Sequence, residues 1–569
     1  MTDIAPLKTE EIQATVEKFL AEEPMFGCQP GTIRGVDYER VFNMSNMSLR
    51  DILAVKTQEF ADQEFMVYQD KRYLFKEVWA KGCQFANALI DTYGVKPGDR
   101  IAIAMRNYPE WCIAYLGIIA AGGTVLPLNA WWQAEELCYA LTDSGAKIVV
   151  GDAKRISFLH PHKEELGLTL ISAVEESDLA DASFEELTKD ASPEMPPVAI
   201  DPESDFCILY TSGSTGKPKG VLLTHRGVVS AVLSWSLLLN VIETLRPNAN
   251  VRPENPAMLV TLPLFHVTAS HSSFLLSYLG GRKIVFMYRW DVQDALKLID
   301  DENITNLLMV PTQSHEIVEA ASPEQLAGLR DIATGGAKRP AHHVMEMKEK
   351  FPAINSSSGY GLTETNALGC INALTDYQAR PDSTGRAVPP VTKVAIFDQE
   401  MNELPVGEVG EICIKSPANF RGYLGMEEET NRVLTKDGWF KTGDLGKLDE
   451  DGFVYIVDRL KELIIRGGEN ISCLEVENEI YKYDGVMEAT VFGIPDDKMG
   501  EIVGAVVYPG ENTVDAGELH SFLKGNIAGF KVPERIWISP QQLPRGGTGK
   551  IDERATREFA VQFPAHYSA

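Results

Sequence analysis

Residues 210–220 combine glycines, hydroxyl side chains and lysines in one short run, Tyr-Thr-Ser-Gly-Ser-Thr-Gly-Lys-Pro-Lys-Gly. Glycines let backbone amides come close to an anion, hydroxyls donate hydrogen bonds to it, and lysines supply positive charge. The apolar residues on either side indicate two strands joined by a loop. The pattern therefore predicts a loop that holds a polyphosphate.

The spacing differs from that of a Walker A loop, which places four residues between its first glycine and Gly-Lys. Here only two residues separate Gly213 from Gly216, and Pro218 follows the lysine. A proline at that place also disfavours a helix that begins directly at the phosphate. The candidate phosphate-binding residues are Thr211, Ser212, Gly213, Ser214, Thr215, Gly216, Lys217 and Lys219.

Four further stretches place charged or aromatic residues next to glycines: 358–364 (SGYGLTE), 439–445 (WFKTGDL), 457–470 (VDRLKELIIRGGEN) and 543–552 (LPRGGTGKID). An aromatic ring between glycines can stack on a base, and a carboxylate is a preferred ligand of Mg²⁺. An aspartate presents acceptor oxygens that suit the two hydroxyls of a ribose. A lysine on a glycine loop can stabilise developing negative charge. Taken singly, each stretch is also typical of an ordinary turn or a domain junction.

Taken together, these stretches resemble the motifs of the adenylate-forming superfamily, and they occur in the family's order between about residues 48 and 560. The superfamily includes acyl-CoA synthetases, luciferases and the adenylation domains of peptide synthetases. The resemblance implies that the chain couples a carboxylic acid to ATP, forms an acyl-adenylate with release of pyrophosphate, and passes the acyl group to a thiol. The chain looks most like the branch of acyl-CoA synthetases that includes fatty-acid–CoA ligases.

The resemblance also implies roles for single residues. Tyr360 would lie against adenine, and Glu364 would bind Mg²⁺ together with Thr211. Asp444 would accept both ribose hydroxyls, and Lys550 would be the catalytic lysine of the adenylation step. The other implied nucleotide-binding residues are Gly336, Ala337, Gly359, Gly361, Thr363 and Arg459.

A hinge and a second set of contacts are implied for the thiol-transfer step. Asp458 matches the family's hinge residue. The loop of Gly467, Gly468 and Glu469 would enter the site in the second half-reaction, near the thiol of coenzyme A.

The acyl pocket is expected near Trp235, Gly335 and His266. The segment 262–266 (LPLFH) resembles the family segment whose histidine or aromatic residue lies between the acyl and thiol pockets, so His266 is a candidate for both catalysis and substrate contact. A structural histidine at a strand end and a core tryptophan are equally good interpretations of His266 and Trp235.

The bulk composition excludes some classes of function. The chain has 569 residues, and its net charge is 53 − 81 = −28, which argues against nonspecific binding of nucleic acid. The eight cysteines show no C-x-x-C spacing, so we expect reduced, buried thiols in a cytoplasmic protein rather than a zinc site. The sequence leaves the oligomeric state open, a homodimer included.

No integral membrane segment and no secretory signal are expected. Residues 111–128 form the one stretch that could be mistaken for a membrane span, but Gly122, Gly123 and Pro127 interrupt it. A buried helix followed by a strand fits that stretch better.

The elements that must position these motifs alternate between apolar strands and helical stretches, which indicates an α/β fold with largely parallel sheets. The predicted strands are 100–104, 124–128, 147–150, 206–210, 283–286 and 306–310. We expect an N-terminal arm (1–47) with a helix over 9–22. A large domain (48–457) would follow, with two α/β halves separated by a solvated acidic linker (174–205) and a β-rich unit from about 391. A small, mobile C-terminal α+β domain (458–569) would complete the chain.

The predicted function is an ATP-dependent acyl-CoA synthetase that uses Mg²⁺ and CoA. The apolar surroundings of Trp235 and His266 favour a medium- or long-chain fatty acid, with aryl and alicyclic acids as alternatives. Two other functions stay open: an acyl-AMP ligase that loads a carrier protein, and a catalytically silent nucleotide- or acyl-binding protein.

Overall fold

The structure is a computed structural model, which describes residues 6–211, 217–249, 253–337, 339–460, 462–547 and 550–568. The phosphate-loop candidates Ser212, Gly213, Ser214, Thr215 and Gly216 lie outside the described residues.

The α-helices of the described residues alternate with strands along most of the chain. They are α1 Thr9–Glu22, α2 Leu49–Glu59, α3 Phe75–Tyr93, α4 Pro109–Ala120, α5 Ala134–Ser144, α6 Ala153–Leu159, α7 Lys163–Leu166, α8 Phe184–Lys189, α9 His225–Leu245, α10 Leu276–Leu279, α11 Val292–Asp301, α12 Pro311–Ala320, α13 Ala341–Lys350, α14 Leu374–Ala379, α15 Glu427–Val433, α16 Cys473–Ile480, α17 Ala516–Asn526 and α18 Glu553–Ala560.

The strands of the described residues are β1 Cys28–Ile33, β2 Val36–Phe42, β3 Glu64–Tyr68, β4 Lys71–Leu74, β5 Arg100–Ala104, β6 Thr124–Pro127, β7 Ile148–Gly151, β8 Thr169–Ser172, β9 Ala182–Ser183, β10 Asp205–Thr211, β11 Lys219–Thr224, β12 Ala257–Val260, β13 Lys283–Phe286, β14 Asn306–Met309, β15 Asp331–Gly335, β16 Asn355–Tyr360, β17 Cys370–Ala373, β18 Arg386–Ala387, β19 Lys393–Phe397, β20 Gly410–Lys415, β21 Gly422–Tyr423, β22 Trp439–Leu448, β23 Val454–Arg459, β24 Ile464–Arg466, β25 Glu469–Ile471, β26 Glu488–Asp496, β27 Gly500–Tyr508, β28 Arg535–Ile538 and β29 Tyr567–Ser568.

Side-chain caps fix where several helices begin. The hydroxyl of Thr224 accepts a hydrogen bond from the backbone of Gly227 at the start of α9. Asp152 accepts one from Arg155 at the start of α6. Such caps satisfy backbone donors that have no partner inside the helix. The cap of α9 places this helix directly after the hairpin that carries the phosphate loop.

The first large sheet has the strand order β21-β11-β10-β6-β5-β7-β8-β9. Its middle strands β6, β5, β7 and β8 are parallel. Strands β10 and β11 form an antiparallel hairpin, and β10 joins the sheet beside β6. The phosphate-loop hairpin therefore belongs to the first sheet, and the prediction that residues 174–205 separate it from the first half was wrong.

The acidic segment before this hairpin is also more ordered than a solvated linker. It contains β9 and the short helix α8. Phe184 is buried, and its ring centroid lies 4.5 Å from that of Phe85 on α3. Phe184 thus helps to anchor a segment that its charge marked as exposed.

The second large sheet has the order β18-β17-β16-β15-β14-β12-β13-β3-β4. Its strands β12 to β16 are parallel, and β3 joins them although it precedes the first sheet in sequence. Gly335 at the end of β15 pairs with Gly359 near the end of β16. The carboxyl ends of parallel strands are the usual place for ligands in such sheets, and both glycines were candidates.

The rest of the chain forms two smaller sheets. One is antiparallel, with the order β19-β20-β22-β23, and agrees with the predicted β-rich unit. The other contains β24 to β29 with helices α16, α17 and α18. The α/β fold with a small C-terminal unit is confirmed, whereas the domain limits at 47 and 457 remain predictions.

The main core lies between the two large sheets. Its largest cluster takes side chains from both sheets and from helices α3, α4 and α9, with Trp111 and Tyr115 fully buried. Residues 109–127 form α4 and β6, as the sequence predicted. Within the described residues, α9 is long and apolar enough to cross a membrane, a feature that the sequence interpretation missed; 67% of its most apolar window is buried inside the protein.

Candidate active site

Three of the predicted residues form one hydrogen-bonded group between the second sheet and the antiparallel sheet. The hydroxyl of Tyr360 donates to Oδ2 of Asp444 at 2.6 Å. Nε of Arg459 lies 3.2 Å from Oδ1 of the same carboxylate, because Asp444 and Arg459 are cross-strand partners in β22 and β23. A carboxylate has about four acceptor sites, so Asp444 can still accept two further hydroxyls. This geometry suits a ribose diol beside the Tyr360 ring.

Glu364 lies in the turn after β16 and is buried. Its Oε1 accepts a hydrogen bond from the hydroxyl of Tyr423 at 2.8 Å. Burial raises the pKa of the Glu364 carboxyl, against the lowering effect of its hydrogen bonds and of Lys219. A divalent cation at this carboxylate would reverse that preference and keep it ionised.

The described residues contain no group of three or more histidine, cysteine or acidic side chains that could hold a metal by itself. A Mg²⁺ ion at Glu364 would therefore need oxygens from a nucleotide and from water, as is usual for this ion. The second metal candidate, Thr211, ends β10 and pairs with Lys219 across the hairpin.

Lys219 contacts Glu429 and Tyr423, and Tyr423 is also the hydrogen-bond partner of Glu364. Its ammonium group forms an ion pair with Glu429, and it lies 5.1 Å from the centroid of the Tyr423 ring. Lys217 is exposed, with its ammonium group 5.6 Å from the centroid of the Tyr139 ring. Of the two loop lysines, Lys217 is exposed and Lys219 is buried, so Lys217 is the more accessible to an incoming phosphate.

Lys550, from the C-terminal segment, reaches the carboxyl end of β15. A Cβ atom built on Gly336 would lie 2.9 Å from its Cε, and Gly336 has a φ of +81°. Glycine is thus required at 336 both for the backbone conformation and for the space that Lys550 takes. Desolvation, reinforced by Arg459, lowers the pKa of Lys550 to about 8.

The loop that carries Lys550 also contacts the large part of the protein on either side. Nη1 of Arg545 donates to Oγ1 of Thr312 at 3.1 Å. A Cβ atom on Gly547 would lie 2.9 Å from the ring of Trp131 and 3.0 Å from the amide of Asn129. These contacts seat the lysine in the site from both sides.

The acyl-pocket candidates meet next to Lys550. The terminal ring carbon Cη2 of Trp235 on α9 lies 4.0 Å from the Cβ position of Gly359, and Thr268 lies 3.7 Å from that of Gly335. His266 is half-buried, and its Nδ1 accepts a hydrogen bond from the backbone of Thr268. Burial, with a contribution from Lys550, lowers the pKa of His266 to about 3, so the ring is neutral near pH 7.

The hinge candidate Asp458 ties β23 to the start of α16. Its side chain is fully buried, and its two oxygens accept backbone hydrogen bonds from Arg459 and Cys473, each at 2.6 Å. Burial raises the pKa of Asp458, while these hydrogen bonds lower it. Rotation about this point would have to keep or exchange those bonds.

The chain is similar to known proteins along most of its length. A family model described as AMP-binding enzyme matches residues 53–424, and one described as AMP-binding enzyme C-terminal domain matches residues 475–550. The chain belongs to the AMP-binding enzyme family. Within this adenylate-forming superfamily it lies in the acyl-CoA synthetase branch, so it is an AMP-forming acid–thiol ligase.

Relatives of this AMP-binding enzyme act on different acids. It is 35% identical over 490 residues to a feruloyl-CoA synthase of Amycolatopsis sp, covering 84% of this chain and 92% of the relative. It is 32% identical over 495 residues to a long-chain-fatty-acid–CoA ligase of Mycobacterium tuberculosis, covering 86% and 93%. A solved Bacillus subtilis O-succinylbenzoate coenzyme A synthetase, in complex with ATP and magnesium ion, superposes with a TM-score of 0.75 at 28% identity over 89% of this chain and 99% of that one.

Other predicted residues of the AMP-binding enzyme fall in different places. Thr363 is buried beside Glu364, Gly361 is half-buried, and Ala337 is exposed after β15. Gly467 and Gly468 turn between β24 and β25 with φ of +60° and +91°. The contacts of that turn lie within the C-terminal sheet. The backbone N–H of Gly467 donates to the carbonyl of Met499 at 2.7 Å, and Glu469 pairs with Arg466 across the strands. The structure does not bring this loop to Lys550.

Sequence reasoning missed three residues that support the Glu364 turn and the nearby Lys219. Tyr423 donates to Glu364, and Glu429 pairs with Lys219. Asn366, in a left-handed conformation with φ of 54°, accepts at its Oδ1 from the His271 ring at 3.1 Å and donates to the backbone of Ala418 at 2.7 Å. An asparagine at the end of a turn is a recognisable signal for that conformation, whereas Tyr423 and Glu429 carry no local signature.

Proposed function

We propose that this AMP-binding enzyme activates a medium- or long-chain fatty acid with ATP and transfers the acyl group to coenzyme A. The observation that carries the adenylation half is the position of Lys550 beside Gly336, next to the group formed by Tyr360, Asp444 and Arg459. A ribose bound at Asp444 and an acid bound near Gly335 would place the α-phosphate and the carboxylate on either side of the lysine.

In the first step a carboxylate oxygen attacks the α-phosphorus of ATP, and the bond to pyrophosphate breaks. The ammonium group of Lys550 would stabilise the negative charge on both reacting groups, because it is a cation held in a desolvated site. With a pKa of about 8, Lys550 is still mostly protonated at pH 7. The neutral ring of His266 would add no further charge.

Glu364 would hold Mg²⁺ together with phosphate oxygens of ATP, with Thr211 nearby at the start of the loop. When bound, the ion would supply positive charge that offsets the charge of the polyphosphate. The ATP- and magnesium-bound neighbour supports this proposal. The hydrogen bond from Tyr423 would keep the Glu364 carboxylate in one orientation.

In the second step the thiol sulfur of CoA attacks the acyl carbon, AMP leaves as its acyl–oxygen bond breaks, and the thiol proton passes to solvent. We infer that the chain turns about Asp458 between the steps, which would withdraw Lys550. The turn of residues 467–469 would then approach the site, since its position in this conformation is away from it.

A small basic and aromatic pocket favours CoA over a carrier protein as acceptor. Its volume is about 100 Å³, and Arg106, Lys154 and Arg155 line it together with Trp131. The guanidinium of Arg106 lies 3.6 Å from the centroid of the Trp131 ring. In a chain with a net charge of −28, such a cluster suits the adenine and 3′-phosphate groups of CoA, which the phosphopantetheine arm of a carrier protein lacks. The contact between Trp131 and Gly547 places the pocket at the edge of the active site.

The experiment that tests the function measures AMP and thioester formation from ATP, Mg²⁺ and CoA with octanoate, palmitate, ferulate and malonate. We expect thioester formation to be fastest with the alkyl acids. A higher kcat/KM for ferulate would show an aryl-CoA ligase. Pyrophosphate exchange without thioester formation would show that the acceptor is not CoA. The Arg106→Ala variant should then keep the activity of the unchanged protein.

A further inference from the structure

A second cavity, of about 860 Å³, lies outside the site described above. Helix α1 and strand β2 of the N-terminal arm form its outer wall, and helix α9 with strand β17 forms its inner wall. Its inner lining is apolar and includes Leu238, Ile242 and Ile371. The volume is in the range of pockets that bind small molecules.

Helix α9 connects this cavity to the acyl pocket. Trp235, Leu238 and Ile242 are spaced by three and four residues, so they lie on one face of the helix. Trp235 contacts the acyl pocket at Gly359, while Leu238 and Ile242 line the cavity. The helix advances about 10 Å between Trp235 and Ile242.

The second sheet makes the same connection on the opposite wall. Ile371 of β17 is the antiparallel partner of Gly359, so both positions face the same side of the sheet. A Cβ atom built on Gly359 would lie 4.0 Å from Trp235 on that side. Ala373, two residues further along, lies on the same face and also lines the cavity. One helix face and one sheet face therefore run together from the acyl pocket into the cavity.

Three pairs of opposite charges lie at the outer rim. Arg40 contacts Glu17 at 2.5 Å, and Lys393 contacts Glu39 at 2.6 Å. Arg386 lies 3.6 Å from Asp376 and donates to the backbone of Leu7 at 2.9 Å. These pairs lower the net charge at the rim, and the apolar contact that the cavity offers comes from its inner lining.

We propose that this cavity receives the far end of the alkyl chain of a long-chain fatty acid whose carboxylate lies at Lys550. The proposal rests on the proposed function and makes it more specific: the substrate is a long-chain acid, and the N-terminal arm completes its binding site. Helix α1 packs along α9 and supplies Ile12 and Val16 to the wall. An arm without catalytic residues thereby sets the chain-length preference.

The expected size of the effect follows from the burial of methylene groups. Each methylene that enters the cavity should tighten binding about fourfold. Octanoate should end near Trp235 and gain little, whereas palmitate should extend into the cavity. A change that removes room for two methylenes should weaken palmitate binding by at least about tenfold.

The test uses the full-length protein with two variants of the wall. Ala373→Leu fills part of the cavity from the sheet side, and Ile12→Glu places a charge in it from α1. Ala21→Glu, at an exposed position on the same helix and away from the cavity, is the matched control. Binding of octanoate and palmitate is measured by isothermal titration calorimetry with a non-hydrolysable ATP analogue, and thermal unfolding confirms that each variant is folded.

We expect both wall variants to weaken palmitate at least tenfold, to change octanoate less than about twofold, and to leave the Ala21→Glu control like the unchanged protein. Equal weakening of both acids, or unchanged palmitate binding, would overturn the proposal. Failure of the proposed function would be recognised differently. In that case the unchanged protein would form no palmitoyl-CoA, whatever the two variants do to binding.

Discussion

The charge on Lys550 should control the adenylation step through pH. Burial beside Gly336 lowers its pKa from the usual 10.5 to about 8. Above that pH the docked lysine loses its proton, and the site loses the cation that stabilises the reacting carboxylate and phosphate. The rate of adenylation should therefore fall on the alkaline side, whereas attack by a thiol on supplied acyl-adenylate should not.

The magnitude follows from the same shift. Moving the pKa from 10.5 to about 8 corresponds to about 3 kcal/mol against the charged form. The protonated fraction, and with it kcat/KM for adenylation, should fall about tenfold per pH unit above pH 8. Lys550→Ala should lower adenylation about a hundred- to a thousandfold, as the loss of one stabilising donor does in other enzymes.

The assay is exchange of radiolabelled pyrophosphate into ATP from pH 6 to pH 10, with an acid that the enzyme accepts. CoA is left out, so titration of its thiol does not affect the rate. Lys550→Arg keeps its charge throughout this range, so its lower rate should show no alkaline decline. Lys524→Ala, an exposed lysine of α17, is the control. An alkaline decline that persists in Lys550→Arg would refute the assignment to Lys550, as would equal loss of thiolysis in Lys550→Ala.

Further predictions concern the nucleotide site and its support. Asp444→Asn should raise KM for ATP at least about tenfold, because a charged acceptor is lost. The unchanged enzyme should prefer ATP over 2′-deoxy-ATP, whereas the variant should not. A preference that survives in the variant would contradict the ribose contact. Gly336→Ala should slow adenylation and spare thiolysis, since its new Cβ atom would lie 2.9 Å from Cε of Lys550 at a φ of +81°; similar losses in both half-reactions would argue for a general folding defect. Tyr423→Phe should raise the Mg²⁺ concentration needed for half-maximal exchange several-fold, because the Glu364 carboxylate loses its 2.8 Å hydrogen bond; an unchanged Mg²⁺ requirement would separate Glu364 from the metal.

Local sequence was enough for the features that depend on neighbours along the chain. The helix expected over residues 9–22 is α1, and the strand expected over 100–104 is β5. Apolar periodicity and glycine-rich runs are short-range signals, so they identified these elements and the α/β class. The motifs around Tyr360, Asp444 and Lys550 likewise marked residues that the structure brings to one site.

Only the tertiary structure decided which distant elements meet. Strand β3 joins the second sheet beside β13, and the hairpin β10–β11 joins the first. Phe184 anchors a segment whose acidic composition predicted a solvated linker. Strand partners and buried contacts depend on which surfaces fit together in the folded chain, and the period of a single segment does not contain that information.

The same division holds for the active site. The sequence by itself determined which side chains could bind a nucleotide and stabilise negative charge, because that chemistry belongs to the residue types. The seating of Lys550 against Gly336, the support of Glu364 by Tyr423, and the cavity between α1 and α9 were decided by tertiary structure. Each joins residues far apart in the chain, so each exists only when the sheets and helices have packed.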